Sequence, residues 1–272
     1  MNRKQFREKL RSGKVCLGTH SYSASPAIVE IIGHSGFDWV LVDCEHAPIG
    51  PYDTFALENL LRAAETSGVV PLVRVPKNDP VMIMKVLDSG AAGIIVPHVN
   101  DKASAQLAVS ATRYPPVGLR GTCPHVRSVK YYATRPRDED YWRTANDEVT
   151  VVLLLEDRKA IDNIEEIVSV PGVDAVYLGT TDMAMDMGEF RHDAPRVKEA
   201  VAHVTKVARA HGVAVGQPFF YPNVGSAKAL LDLGHTFLAC TADLRIFGEA
   251  CAQIITGVDD VLKSHPGKPT RT

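Results

Sequence analysis

Glu156 and Asp182 are the residues of this chain best suited to hold a hard metal ion. Each follows an apolar run, in VVLLLE and AVYLGTTD, and a carboxylate at the end of such a run must meet a cation, a hydrogen-bond network or solvent. Two carboxylates from neighbouring strand ends form an oxygen site that suits Mg²⁺ or Mn²⁺, with water and substrate oxygens completing the octahedron. The competing role is capping of the following helix or pairing with a local arginine; it suits Asp182 better than Glu156, since Glu is a poor N-cap. Arg74 closes VVPLVR, where its guanidinium could grip a substrate carboxylate or form an internal salt bridge. His46 follows Asp43-Cys44-Glu45 and reads either as a general base tuned by carboxylates or as a hydrogen-bonded structural histidine. His20, His98, Asp157 and Gln217 complete the polar positions at the ends of apolar runs.

These positions share a context. Eight β-branched apolar runs, Val15 to Thr19, Trp39 to Cys44, Val69 to Val75, Gly93 to Val99, Thr150 to Glu156, Ala175 to Gly179, Val213 to Pro218 and Thr236 to Thr241, read as strands. Helical patterns separate them at Pro26 to Ser35, Thr54 to Ser67, Pro80 to Ser89, Ala103 to Tyr114, Arg158 to Val168, Pro195 to His211, Val224 to Leu233 and Leu244 to Leu262. Gly36, Gly68, Gly90, Gly172, Gly212 and Gly234 stand where such helices end. Strands apolar on both faces and joined by crossover helices belong to parallel sheets. Eight units in one chain predict an α/β fold, a single-domain (β/α)8 TIM barrel, with a doubly wound open sheet as the rival. The barrel is expected over residues 1–264, interrupted by a long loop at 115–148 and followed by a flexible tail at 265–272. Active-site groups of such barrels stand at strand C-terminal ends, where the polar residues above fall.

Composition narrows the partners. With 30 Lys+Arg against 32 Asp+Glu, the net charge of −2 provides no basic field for nucleic acid or an anionic membrane. The start MNRKQFREKL has no apolar core of a signal peptide, and no apolar run suggests a membrane span, so a cytoplasmic protein is expected. Five scattered cysteines, none in a CxxC pair, argue against a disulfide framework and a thiolate zinc site. No GxGxxG or Walker A element follows a strand.

The strings DWVLVDCEHAP, PLVRVPKNDP, KVLDSGAAGIIVPHV, LLLEDRKAIDNIEEIVSVPGVDAVYLGTTDMAMDMG and GVAVGQPF resemble, in order and spacing, the metal-dependent class II pyruvate aldolases of the HpcH/HpaI family. The resemblance runs from about Gly18 to Val261. It implies an aldolase that cleaves or forms the carbon–carbon bond between pyruvate, as the enolate of a 2-oxo acid, and an aldehyde. On this resemblance Glu156 and Asp182 bind the divalent metal, Mg²⁺ or Mn²⁺ with Co²⁺ also compatible. Arg74 holds the pyruvate carboxylate, His46 is the base acting through water, and Asp88 orients it, with Asp43 and Glu45 as the acids beside it. The amides of Gly179, Thr180, Thr181 and Asp182 lie near the oxo acid, and Arg120-Gly121 opens a lid-like loop. A homo-oligomer is implied, a hexamer built as a trimer of dimers.

Three positions depart from the family pattern. Leu154 replaces the usual Gln, Gly-Thr-Thr-Asp replaces Gly-Pro-x-Asp, and Thr122 to Arg127 replaces a loop of small residues. The Leu154 and loop departures keep in view another lyase using the same enolate, such as an oxo-acid decarboxylase; a non-catalytic oxo-acid-binding barrel is the alternative of a different class, and the joint presence of Glu156, Asp182, Arg74 and His46 speaks against it. The segment with His125, Arg127, Tyr131 and Tyr132 is expected either to close over the aldehyde or to contact another subunit. The apolar stretch IFGEACAQIITGVDDVL is expected to pack on a neighbouring subunit or on its own barrel.

Overall fold

A computed structural model describes residues 1–133 and 138–265. Nine parallel strands follow the chain as β1 (Cys16–Ser21), β2 (Trp39–Asp43), β3 (Val70–Arg74), β4 (Gly93–Val96), β5 (Thr150–Leu155), β6 (Ala175–Leu178), β7 (Ala214–Gly216), β8 (Pro218–Phe219) and β9 (Phe237–Ala242). The helices are α1 (Arg3–Arg11), α2 (Pro26–His34), α3 (Thr54–Ser67), α4 (Pro80–Asp88), α5 (Lys102–Thr112), α6 (Asp138–Glu148), α7 (Arg158–Asp162), α8 (Ile164–Val168), α9 (Thr180–Asp186), α10 (Pro195–Ala210), α11 (Ser226–Leu233) and α12 (Asp243–Ser264). A 3₁₀ segment, Arg127–Tyr132, lies before α6.

The strands pair in the order β7-β6-β5-β4-β3-β2-β1-β9-β8, all parallel, and form a TIM-barrel-like domain rather than a doubly wound sheet. The seventh expected strand is two short ones separated by Gln217. Its first half pairs with β6 and its second with β9, so one run of chain bridges both edges and closes the ring. The Thr236 N–H donates to the Val215 carbonyl at 3.0 Å across that closure. Gly216 permits it, because a Cβ there would collide with the Phe237 backbone.

Strand residues alternate between two cores. Val40, Val42, Val73, Ile94, Val151, Leu153 and Val176 face the helices, whereas Trp39, Leu41, Val70, Leu72, Val152, Leu154, Ala175, Tyr177, Phe237 and Ala239 fill the interior. Trp39 stacks on Phe237 with ring centroids 4.2 Å apart and meets Tyr177 edge-on. Helix α1, which sequence patterning overlooks, adds Phe6 and Leu10 to this interior cluster. An Asn2–Gln5 capping box starts it, and Arg7 and Arg11 tie it to Asp174 at 2.9 and 2.6 Å.

The expected helix Arg158 to Val168 is broken at Asn163, whose side-chain amide donates to the Asn100 carbonyl at 2.9 Å. The six helix-terminating glycines all have positive φ, from 71° to 104°. The expected long loop at 115–148 contains both the 3₁₀ segment and α6. Residues 134–137 of it, and 266–272 of the expected tail, lie outside the described residues. No helix among the described residues is long and apolar enough to cross a membrane.

Candidate active site

Two-residue alternation places the site. Continuing the inward phase Trp39-Leu41 brings Asp43 inward at the strand end; Val70-Leu72 likewise leads to Arg74, Val152-Leu154 to Glu156 and Cys16-Gly18 to His20. The residues nominated from separate strings therefore converge because each closes an inward-facing row. They surround a cavity of about 430 Å³ whose wall includes His20, Tyr22, Arg74, Leu154, Glu156, Tyr177 and the segment 179–182.

Arg74 is held by a buried fork. Its Nε and Nη2 donate to the two Asp43 oxygens at 2.9 and 2.7 Å, and Nη2 also donates to the Tyr22 hydroxyl at 2.9 Å. Glu45 approaches Nε at 3.2 Å. Nη1 makes none of these contacts. Asp43 is fully buried. Burial alone would raise its carboxyl pKa, but the Arg74 hydrogen bonds and charge, with the amides of Glu45 and His46, hold it below the usual range. Removing one partner of such a buried pair costs about 3–5 kcal/mol, so Asp43 fixes Arg74 as firmly as any core contact.

Glu45 connects this pair to two histidines. Its Oε2 lies 3.6 Å from His46 Nε2, and its Oε1 lies 3.8 Å from His98 Nε2. Burial pushes its carboxyl upward against the opposing charge of Arg74. His46 is two-thirds exposed, is linked to the cavity wall only through Glu45 and Asp43 rather than lining it, and its backbone N–H donates to Asp43 at 3.3 Å.

Asp88 corrects the expected dyad, because one chain does not bring it to His46. It ends α4, and a helix that follows a strand returns toward the opposite end of the barrel, so Asp88 lies away from the rim and accepts from Arg120 at 2.8 Å. The segment expected as a lid packs along the outside with it: Arg127 pairs with Glu65, and Tyr131 donates to Glu58, both on α3. Within one chain its described residues do not line the cavity.

Glu156 is buried, and its Oε1 accepts the His98 N–H at 2.8 Å. His98, on the rim but given no role from sequence, holds a left-handed backbone at φ 54°, with Nδ1 2.8 Å from that same oxygen. Non-glycine residues keep such a conformation where surroundings enforce it, often at functional sites. Burial raises the Glu156 pKa, and the negative charges of Glu45 and Asp182 add to the rise. A cation between these carboxylates would relieve that crowding.

Asp182 stands in the first turn of α9 and makes no side-chain hydrogen bond or ion pair among the described residues. The capping role weighed for it is therefore absent. Gly179 makes room for the neighbouring carboxylate, since a Cβ there would lie 3.0 and 3.1 Å from Glu156 Cβ and Oε2. The described residues contain no group of three or more His, Cys, Asp or Glu arranged to hold a metal. Two carboxylates suit an ion that keeps most of its positions for water and substrate, as Mg²⁺ does.

Below the rim, His20 Nε2 lies 3.0 Å from the Tyr177 hydroxyl. Burial lowers its pKa to about 4, keeping the ring neutral at pH 7. Leu154 adds an apolar side chain to the same wall.

Comparison with known proteins agrees with this geometry. The sequence profile of the HpcH/HpaI aldolase/citrate lyase family matches residues 17–250. The chain belongs to that family. It is 34% identical over 251 residues to a 5-keto-4-deoxy-D-glucarate aldolase of Escherichia coli O9:H4 (strain HS), covering 92% of this chain and 94% of that one. The crystal structure of an HpcH/HpaI aldolase/citrate lyase family protein from Burkholderia cenocepacia J2315 superposes with a TM-score of 0.87 at 30% identity, covering 94% and 99% of the two chains. An HpcH/HpaI aldolase from Desulfitobacterium hafniense DCB-2 gives 0.85 at 29% identity, covering 97% and 98%. This HpcH/HpaI protein is a carbon–carbon lyase of the aldolase type, in a family that depends on divalent metal.

Proposed function

We propose that the enzyme cleaves a 4-hydroxy-2-oxo acid between C3 and C4, giving pyruvate and an aldehyde, and runs the same steps in reverse. The observation carrying this reading is the convergence of Glu156, Asp182 and Arg74 on one cavity. Glu156 and Asp182 are the residues that would hold a divalent cation, Mg²⁺ or Mn²⁺. When bound, such an ion supplies positive charge against the electrons that move onto the keto oxygen.

The chain's own groups do the rest. Arg74, clamped through Nε and Nη2, has Nη1 to offer the oxo-acid carboxylate. The amides of Thr180, Thr181 and Asp182, in the first turn of α9, have no partner within that helix and lie beside the same anion. His46 accepts the C4 hydroxyl proton through water, with Glu45 steadying the imidazolium. As C3–C4 breaks, its electron pair forms the C2–C3 double bond and the aldehyde departs. A proton then returns to C3, completing the pyruvate methyl group. Leu154 and neutral His20 keep the wall uncharged beneath the reacting carbons.

The test is exchange of pyruvate methyl protons in D₂O, followed by NMR. Exchange is expected with Mg²⁺ or Mn²⁺ and should stop on chelation. Exchange surviving excess EDTA, or a lysine adduct trapped by borohydride, would overturn the assignment; binding without exchange favours a passive oxo-acid-binding barrel.

The reading extends to a homo-oligomer, a hexamer arranged as a trimer of dimers. Along α12 only Asp243 is buried, while Phe247, Ile254, Val258 and Val261 are exposed, a large apolar face for a lone barrel. Light scattering at micromolar concentration should give a multiple of 29.6 kDa. A monomeric mass refutes the assembly.

A further inference from the structure

We propose that His98 is a positioning residue for the metal centre, one that takes up one oxygen of Glu156 and leaves the other for the cation. The inference rests on the metal-site reading above and names the residue that aims its buried ligand. Glu156 follows the last residue of β5 and lines the cavity. For it to serve as a ligand, one oxygen must face the cavity and the carboxylate must be kept from turning.

His98 does both. Its backbone N–H donates to Oε1 at 2.8 Å, and its ring Nδ1 lies 2.8 Å from the same oxygen. Against the ionised carboxylate that a metal requires, Nδ1 carries the proton, because two acceptors would repel at that distance. Oε1 therefore accepts two hydrogen bonds from one residue. The other ring nitrogen, Nε2, is 3.8 Å from Glu45, beyond hydrogen-bonding distance, so the ring serves Glu156.

Oε2 is left on the side of the second carboxylate. A Cβ at Gly179 would come within 3.1 Å of it, and Gly179 and Asp182 line the same cavity as Glu156. The oxygen that His98 does not hold thus adjoins the segment that carries Asp182. The placement of His98 itself has no other cause in the fold. Its side chain is 68% exposed, so core packing does not fix the ring, and its φ of 54° is uncommon for a residue other than glycine. The two contacts to Glu156 are what hold it there, and hydrogen-bonded support of this kind sets the orientation of metal-binding carboxylates.

Mn²⁺ titration calorimetry tests the proposal, with Glu156→Ala as the reference. His98→Gly keeps the backbone N–H, adopts the left-handed backbone without strain and deletes the ring. It should bind Mn²⁺ roughly 10- to 100-fold more weakly than wild type, the usual cost of losing the support of a metal ligand. His98→Asn, whose amide donates a hydrogen bond and which tolerates the same φ, should recover part of the loss. Melting in EDTA should change little in either variant. Wild-type Mn²⁺ affinity in His98→Gly, with affinity lost in Glu156→Ala, overturns the positioning role alone. Wild-type affinity in Glu156→Ala sinks the metal-site reading and the role with it. A loss in His98→Gly that accompanies a large fall in metal-free melting temperature, with no recovery in His98→Asn, makes His98 a structural residue and also overturns the proposal.

Discussion

Glu156→Ala should lose more than about 100-fold in Mn²⁺ affinity and with it measurable aldol turnover, and Asp182→Ala should do the same. The size follows from removing one of two protein ligands, since changing a residue that merely supports a metal ligand already costs about 10- to 100-fold. Folding should survive. Glu156 is buried, and that burial, with the like charges of Glu45 and Asp182, pushes its carboxyl pKa upward against the hydrogen bond and charge of His98. Without metal, the Glu156→Ala protein should therefore melt no lower than wild type, because an imperfectly compensated buried charge has been removed. Titration calorimetry with Mn²⁺ and thermal melts in EDTA separate the two effects. Unchanged affinity in both variants would remove the pair from the metal site; a large loss of metal-free stability would make Glu156 a structural residue.

His46→Ala should slow proton transfer by roughly 10²- to 10⁴-fold, the usual worth of a positioned acid–base group, with metal and pyruvate binding nearly unchanged. Proton exchange into pyruvate and aldol addition should fall together, since both move a proton through the same imidazole. Glu45→Gln should produce a smaller loss, because it removes the carboxylate 3.6 Å from His46 Nε2 and leaves the ring in place. Asp88→Asn should act differently in an isolated chain: Asp88 is paired with Arg120 and is not brought to His46. Wild-type exchange in His46→Ala, with both ligands bound, would transfer the role to His98, which reaches Glu45 and Glu156 from the adjoining strand end. His125 is a poor substitute, since its segment packs outside α3 and α4.

The repeating units were legible because their signals are local. Thr54–Ser67 is a helix with the boundaries its pattern predicts, closed by Gly68 in the left-handed region. The seventh strand was less legible. Whether Val213 to Pro218 forms one strand or two depends on which neighbour each half meets, and those neighbours lie more than thirty residues upstream in one case and on β9 in the other. Helix α1 carried its signal in Asn2 and Gln5, but its polar composition concealed Phe6 and Leu10, whose burial depends on the open end of the barrel.

By itself, the sequence determined the alternation of strand and helix, the parallel sheet and the set of polar residues that end apolar runs. Strand periodicity and helix punctuation are properties of a few consecutive residues, so no distant contact is needed to read them. Tertiary structure decided which residues share a space. In WVLVD and VPLVR both alternating phases are apolar, and pattern alone does not say which faces the barrel interior. Only the packed rings of Trp39, Tyr177 and Phe237 select the phase that turns Asp43 and Arg74 inward. The same is true of Arg74's fork with Asp43, of His98 against Glu156, and of Asp88 at the far end of α4. Each is set by where two remote segments come to rest, because contact geometry is fixed by packing and closure of the whole ring.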